Sequence, residues 1–150
     1  MNALAGCAYT MPRGVLPITG RLRIWVAGRK GNNTQTDAVT FGLRVGTTGT
    51  ASDPLLGSFG FTLQATSRSW AFMTHWRVET ATRIRRVGAI DGVGGETSQI
   101  GSSITTASTT DTLPDVSVNT LQWRLHAQMS AGSADWVVVD DFAILVTDPY

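Results

Sequence analysis

The chain has 150 residues, which is typical of one domain, and 42% of them are apolar, too many for a disordered protein. Its net charge of +1 gives no strong field that would attract nucleic acid or an anionic membrane. The single cysteine, Cys7, excludes an intramolecular disulfide scaffold, and the longest apolar runs are far too short to span a membrane.

The charged residues are few, and the basic ones are almost all arginine. They make up 15% of the chain, against about 25% in typical proteins. Eleven of the twelve basic residues are arginine, and Lys30 is the only lysine. Interfaces between proteins are poor in Lys, Glu and Asp but retain Arg and aromatic residues. The composition therefore favours a protein whose surface is partly covered by a partner.

Apolar side chains recur at every second residue along most of the chain, which predicts β-strands with one buried face. In residues 20–28 the buried set is Leu22, Ile24 and Val26, and a Gly-Asn-Asn-Thr turn follows at 31–34. The abundant threonines and glycines suit strands and the turns between them. The same reasoning predicts strands over residues 38–46, 58–63, 69–80 and 82–90, a loop at 46–56 and a turn at 91–95.

The last third of the chain contains two irregular stretches. Residues 97–110 predict an edge strand followed by a loop. In residues 115–129 the apolar phase slips at 119–120, which predicts a β-bulge that keeps both apolar sets inward. Residues 135–147 alternate on even positions, and Asp140 falls on that apolar face.

These strands predict a single all-β domain. We expect a two-sheet β-sandwich, jelly-roll-like, with about seven or eight antiparallel strands, and a barrel is the alternative. Residues 1–15 are predicted as an N-terminal arm that orders on binding, and residues 16–150 as the sandwich. No window shows a helical apolar period, and no linker divides the chain.

Candidate reactive groups are isolated from one another in the sequence. His75 and His126 lie on predicted polar faces, and a metal site would need further ligands. Asp91 and Glu96 border a glycine-rich turn, which offers too few oxygen ligands for calcium. Asp140, on an apolar face, is expected to have a partner such as an arginine. We therefore predict a non-enzymatic protein with no catalytic residue, cofactor or metal.

Short segments along most of the chain occur in a recognisable order. They are residues 11–16, 20–24, 31–34, 41–46, 67–70, 121–125 and 135–146. This order resembles the β-sandwich modules of tailed-bacteriophage virion proteins, found as small head-decoration (cement) proteins and at the ends of head or tail fibres. Such modules typically form homotrimers, and the family implies no fixed catalytic residues. A fibre would usually show a long upstream shaft, so the short stretch before residue 9 is expected of a stand-alone decoration protein.

The resemblance implies a capsid decoration protein, made in the cytoplasm of the host bacterium, that binds the major capsid protein on the outer surface of the virion. Neither nucleic acid nor membrane is an expected partner. One alternative is a fibre tip that binds host glycan, and another is a carbohydrate-active β-sandwich enzyme with two carboxylates across a cleft. The residues expected to contact the partner are arginines, an exposed aromatic and residues near the termini: Met11, Arg13, Trp25, Arg83, Arg85, Arg86 and Tyr150.

Overall fold

A computed structural model describes residues 2–31, 37–63, 69–87, 91–94, 110–129 and 135–147. This part of the chain contains ten strands: β1 (Asn2–Met11), β2 (Arg21–Gly31), β3 (Asp37–Gly46), β4 (Leu55–Leu63), β5 (Ser69–Thr80), β6 (Arg83–Arg86), β7 (Asp91–Gly94), β8 (Thr110–Thr112), β9 (Leu121–Met129) and β10 (Trp136–Thr147). No helix among these residues is long and apolar enough to cross a membrane.

The strands form two antiparallel sheets. Sheet A has the order β1-β9-β3-β4, and sheet B has the order β10-β2-β5-β6-β8, with β7 also paired to β5. Seven of the described strands have nine or more residues, and β6, β7 and β8 have only three or four. The predicted all-β, two-sheet β-sandwich is confirmed.

The core lies between the two sheets and is built from the predicted inward-facing residues. The ring of Phe41 in sheet A contacts those of Trp70 and Phe72 in sheet B, with centroids 4.6 and 5.5 Å away. Burying each large apolar side chain contributes roughly 1.5–3 kcal/mol. Further enclosed side chains come from both sheets: Leu22, Ile24, Val26, Leu43, Trp76, Ile84, Trp123 and Leu125.

The segment predicted as an N-terminal arm is part of the sandwich. Residues 2–11 form β1, which pairs with β9 so that Tyr9 lies opposite Trp123 and Met11 opposite Leu121. Met11 is 1% exposed because it faces the core. Apolar burial and pairing with β9 therefore hold this segment in sheet A, and the sandwich begins well before residue 16.

The change in apolar phase at residues 119–120 does not correspond to the predicted bulge. A turn ends there, and β9 begins at Leu121. The Asp115 carboxylate accepts a hydrogen bond from the backbone N–H of Ser117 at 2.9 Å, which closes a turn before β9. Val116 is buried on one side of this turn, whereas Val118 is 64% exposed on the other. The two apolar phases therefore belong to a turn and to a separate strand.

A bulge does occur in β10, where the even alternation was expected to continue. The register with β2 shifts around Asp140, so that Val137 and Val139 pack against the core together with Phe142. Trp136, predicted to point inward, is 48% exposed. The bulge adds one residue to β10, so the odd positions face the core before Asp140 and the even positions face it afterwards. Asp140 therefore does not face the core.

Residues 91–94, predicted as a turn, instead form β7. This strand pairs with β5, with Asp91 opposite Met73 and Gly94 opposite Trp70. The backbone of β5 offers hydrogen-bonding groups along its full length, which a short glycine-rich segment satisfies without bulky side chains. The predicted edge strand and loop at 97–110 lie outside the described residues, except for Thr110 at the start of β8.

Candidate binding surface

The solvent-facing side of sheet B is a broad surface built from alternate residues of its long strands. We call it the outer B face. On β2 it carries the residues between the buried positions, and the register places each of them beside an outward residue of β5. The facing pairs are Arg21 with Arg77, Arg23 with His75, Trp25 with Met73, Ala27 with Ala71, and Arg29 with Ser69.

Three arginines form a row across this face. Arg21 of β2 lies opposite Arg77 of β5, which in turn lies opposite Arg85 of β6. The Arg85 guanidinium is 2.9 Å from a carboxylate oxygen of Glu79. Within the described part of the chain, no carboxylate lies within salt-bridge distance of Arg21 or Arg77. Like charges that face each other across strands are destabilising, so the row favours binding of an anionic group.

A pocket of about 270 Å³ opens beside this row. Its polar lining includes Arg21, Arg23, His75 and Thr147, and Val87 closes one side. The backbone N–H of Val87 donates to the carbonyl of His75 at 2.8 Å, which holds the wall in place. Guanidinium groups present several donors in a fixed plane and remain charged, so the pocket suits a carboxylate or another small anion.

The neighbouring part of the outer B face is apolar. Trp25 is half-buried between Met73 and Ala143, which are its partners on the two adjacent strands. A shallow groove of about 390 Å³ runs along Trp25 and Ala71 to Asp140. The outer B face thus changes from a cationic row to an apolar strip within a few residues.

A second apolar surface lies where the loops at one end of the sandwich meet. We call it the loop-end patch, and it consists of Val15, Ile18 and Val118, all exposed. Its loops are joined by a hydrogen bond of 3.2 Å from the backbone N–H of Gly14 to the carbonyl of Val116. Three exposed aliphatic side chains at one end make this patch a candidate contact with another protein.

Four of the predicted contact residues lie in sheet B. Trp25 and Arg85 are on the outer B face, and Arg83 is exposed at the start of β6. Arg86, at the other end of β6, is only half-exposed because it pairs with the buried Trp76. The sequence cluster of arginines therefore does not form one continuous stripe.

The other predicted contact residues have different positions. Arg13 is exposed in the loop between β1 and β2, near the loop-end patch. Met11 is 1% exposed, so its side chain is enclosed by the core and does not lie on the surface where the prediction placed a contact. Tyr150 lies outside the described residues.

Four arginines of the outer B face are missing from the predicted set: Arg21, Arg23, Arg29 and Arg77. Their polar phase on the strands is visible in the sequence, because each has an odd number whereas the apolar residues of both strands that face inward have even numbers. Their adjacency is not visible, since it depends on the register between β2 and β5, which are separated by two strands of sheet A.

The structure places the two histidines in different sheets. His75 lies on the outer B face, whereas His126 lies in β9 of sheet A and is only 2% exposed. His126 was predicted on a polar face, and it is in phase with Gln122 and Arg124 of β9, but it is enclosed and not exposed to solvent. Burial lowers the pKa of His126, and the charges of Arg44 and Arg124 lower it further. In the described residues, no three His, Cys, Asp or Glu side chains converge as metal ligands would.

One further charged group lies inside the molecule. The Lys30 ammonium nitrogen is 2.8 Å from an Asp135 carboxylate oxygen and 3.1 Å from one of Asp37. All three side chains have no exposed surface. These carboxylates converge on a lysine in the interior, so they do not border an open cleft of the kind that a glycosidase needs.

No protein-family model, curated protein or solved structure matches the chain. The assignment of a binding surface therefore depends on the geometry and chemistry of the residues described above.

Proposed function

We propose that the chain is a non-enzymatic structural protein of a tailed-bacteriophage virion, a decoration protein whose homotrimer binds the outer surface of the major capsid protein and stabilises the head. The observation that carries this proposal is the outer B face, which joins the arginine row to the apolar strip around Trp25. Arginine and tryptophan are the residue types most enriched among those that dominate binding energy at protein interfaces.

The charge of the outer B face specifies the chemistry of the partner. Arg21, Arg77 and Arg85 bring three positive charges together, and Glu79 offsets one of them. A capsid surface with acidic side chains around an apolar centre complements this arrangement. Opposite charges of this kind accelerate association and fix orientation, and their effect weakens as salt screens them.

The loop-end patch supports the proposed trimer. If the threefold axis passes through this patch, Val15, Ile18 and Val118 of the three copies meet around it. The resulting trimer presents three outer B faces to the shell. Three linked contacts bind far more tightly than one, because the second and third contacts form at high effective concentration.

Co-sedimentation tests the proposal. Shells stripped of this protein, prepared from the virus that encodes it, are mixed with the purified chain and pelleted. We expect the chain to pellet with the shells, less so at high salt, and the double variant R21E/R77E to bind at least about tenfold more weakly, a loss of about 1.4 kcal/mol. The control is A38E/Q128E, which places two negative charges at exposed positions of sheet A, away from the outer B face and the loop-end patch. Failure of the unaltered chain to pellet, or an equal loss in A38E/Q128E, contradicts the proposal.

Light scattering tests the trimer separately. We expect a trimer in solution, and a shift toward monomer in I18D, because a charge in the loop-end patch opposes the meeting of three apolar surfaces. The control is T10D, which places the same charge at an exposed position of β1. A monomeric unaltered chain, or dissociation by T10D alone, contradicts the assignment of this patch.

A second function, binding of host glycan by a fibre tip, is favoured by the groove along Trp25. An indole face offers a flat apolar surface for a sugar ring, and the groove-lining Asp140, which pairs with Arg29, offers a carboxylate to its hydroxyls. The probe is purified surface polysaccharide of the host bacterium in a calorimetric titration. Binding that W25A abolishes supports this function, and no heat of binding from the unaltered chain contradicts it.

A further inference from the structure

The choice of lysine at position 30 is unusual for this chain. Every other basic residue is an arginine, and the only lysine is the cation buried between Asp37 and Asp135. Arginine is the usual residue for buried ion pairs because its planar group binds carboxylates in a bidentate manner. A guanidinium keeps its proton in proteins, whereas the lysine amine can lose one and become a nucleophile. This position therefore has the one basic side chain that can form a new covalent bond.

The geometry suits a reaction between lysine and aspartate. The Lys30 nitrogen is 2.8 Å from an oxygen of Asp135, so the carboxyl carbon attached to that oxygen lies next to it. Reacting atoms held about 3–3.5 Å apart are already close to the arrangement needed for attack. Asp37 approaches the same nitrogen at 3.1 Å and provides a second carboxylate.

The surroundings of the three side chains exclude water. Lys30 lies opposite Val137 in the pairing of β2 with β10, and Asp37 lies opposite the buried Leu63 in the pairing of β3 with β4. All three charged side chains are fully enclosed. Enclosure away from water disfavours charged groups relative to neutral ones, and this lowers the cost of moving a proton from the ammonium to a carboxylate.

We propose that Lys30 and Asp135 condense to form an intramolecular isopeptide bond, with Asp37 acting as the proton relay. The reaction converts the Lys30 ammonium and the Asp135 carboxylate into a neutral amide and one molecule of water. A C–N bond forms between the lysine nitrogen and the Asp135 carboxyl carbon, and one C–O bond of Asp135 breaks. No oxidant or further reactant is required.

Asp37 balances the protons of this reaction. Its carboxylate accepts a proton from the Lys30 ammonium, which frees the nitrogen lone pair for attack on Asp135. Two of the three ammonium protons pass through Asp37 to one oxygen of Asp135, and that oxygen leaves as water. The third proton stays on the amide nitrogen, and Asp37 ends as the carboxylate it was before.

The fold holds the amine and the carboxyl group in position, which speeds a condensation that is slow in water. Free amines and carboxylates do not condense readily in solution, but groups held in position react as if present at about 10⁵–10⁸ M. Asp135 is the acceptor and not Asp37, because its oxygen is nearer to the nitrogen. The bond joins β2 to the residue before β10, so it fixes the last described strand to an early one. This inference goes beyond the proposed function and does not depend on it.

Intact-mass spectrometry of the denatured full chain is the first test. We expect a mass lower by one water than the sequence requires. A tryptic digest then locates the bond: residues 30–44 appear joined to residues 125–150, because trypsin does not cleave after an acylated Lys30. A full-mass chain with separate peptides 31–44 and 125–150 overturns the proposal. Loss of water within 30–44 alone, or within 87–124 by succinimide formation at Asp91, overturns it as well.

Variants assign the roles of the three residues. K30R, D135A and D37N are each expected to show the full mass of their sequence. D37N is included because an amide cannot relay protons. The control is D140N, which alters another ion-paired aspartate of the same tryptic peptide and is expected to retain the loss of water. Circular dichroism confirms that each variant is folded. Loss of water in folded K30R overturns the bond, and loss of water in D37N overturns the relay.

Discussion

Arg21 and Arg77 lie directly opposite each other on neighbouring strands of sheet B, and both are exposed. Neither has a salt-bridge partner among the described residues. A pair of like charges in this position opposes folding of the isolated chain. Under the proposed function an acidic partner offsets this cost, so stability of the isolated chain and binding would favour different residues at this position.

The first prediction follows from this pair. R77Q removes the repulsion and is expected to raise the free energy of unfolding by about 0.2–1 kcal/mol, measured by urea denaturation, while it weakens binding to shells. The control is R29Q, which loses the pairing of Arg29 with Asp140 at 3.4 Å. We expect this variant to show no increase in the free energy of unfolding. A destabilised R77Q means that Arg77 has a structural role in the isolated chain.

Asp53 organises the loop between β3 and β4. Its carboxylate accepts hydrogen bonds from the Thr48 hydroxyl at 2.7 Å, from the backbone N–H of Gly49 at 2.6 Å and from that of Thr50 at 3.2 Å. D53A leaves these donors without their partner and is expected to lower the free energy of unfolding by about 1–3 kcal/mol in urea denaturation. The control is S52A, an exposed neighbour in the same loop, for which little change is expected.

Acid is expected to remove the contribution of Asp53. Burial raises the pKa of this carboxyl, but the hydrogen bonds from Thr48, Gly49 and Thr50 lower it by more, so the net pKa is below the ordinary value of 3.8. The stability due to Asp53 is therefore present above the unfolded-state pKa and is lost as the pH falls through the folded-state value. The difference between D53N and the unaltered chain should be largest near about pH 7 and shrink below about pH 4. A constant difference contradicts this account.

The fold was largely predictable because its strands have clear two-residue alternation. Residues 69–80 were predicted as one strand, and β5 has these bounds with Trp70, Phe72 and Trp76 buried. The inward face of β10 before Asp140 was predicted wrongly, because Val137, Val138 and Val139 put apolar side chains on both faces of the strand. The charge of Asp140 on the expected apolar face was the sequence signal at the bulge, but it does not specify a change of register.

The site was only partly predictable, because neighbours in a sheet are set by register between distant segments. Trp25 and Arg85 were identified from residue type alone, whereas Arg21 and Arg77 become a pair only when β2 and β5 align. Lys30 lies in the same even phase as the buried residues of β2, but two positions beyond the predicted strand end. Its status as the only lysine was the one available signal.

His126 is expected to make folding sensitive to mild acid. Its pKa is lowered by burial and by Arg44 and Arg124, so the folded chain binds its proton less readily than the unfolded chain. The stability due to the neutral ring is present above the unfolded pKa of about 6.5 and is lost as the pH falls through the folded value. Unfolding free energies between about pH 7 and pH 5 should fall less steeply in H126Q than in the unaltered chain. An equal slope contradicts the prediction, and H75Q is the matched control.

The bulge in β10 makes a prediction that separates two neighbouring residues. Val139 lies opposite Gly28 and packs against the core, whereas Val138 lies opposite Arg29 on the solvent side. V139D places an unpaired carboxylate against apolar side chains and is expected to lower the free energy of unfolding by about 3 kcal/mol or more. V138D puts the same charge beside an arginine and is expected to change it by no more than about 0.5 kcal/mol. Urea denaturation followed by circular dichroism measures both. Uninterrupted even alternation through Asp140 would give the opposite order, so a larger loss in V138D contradicts the bulge.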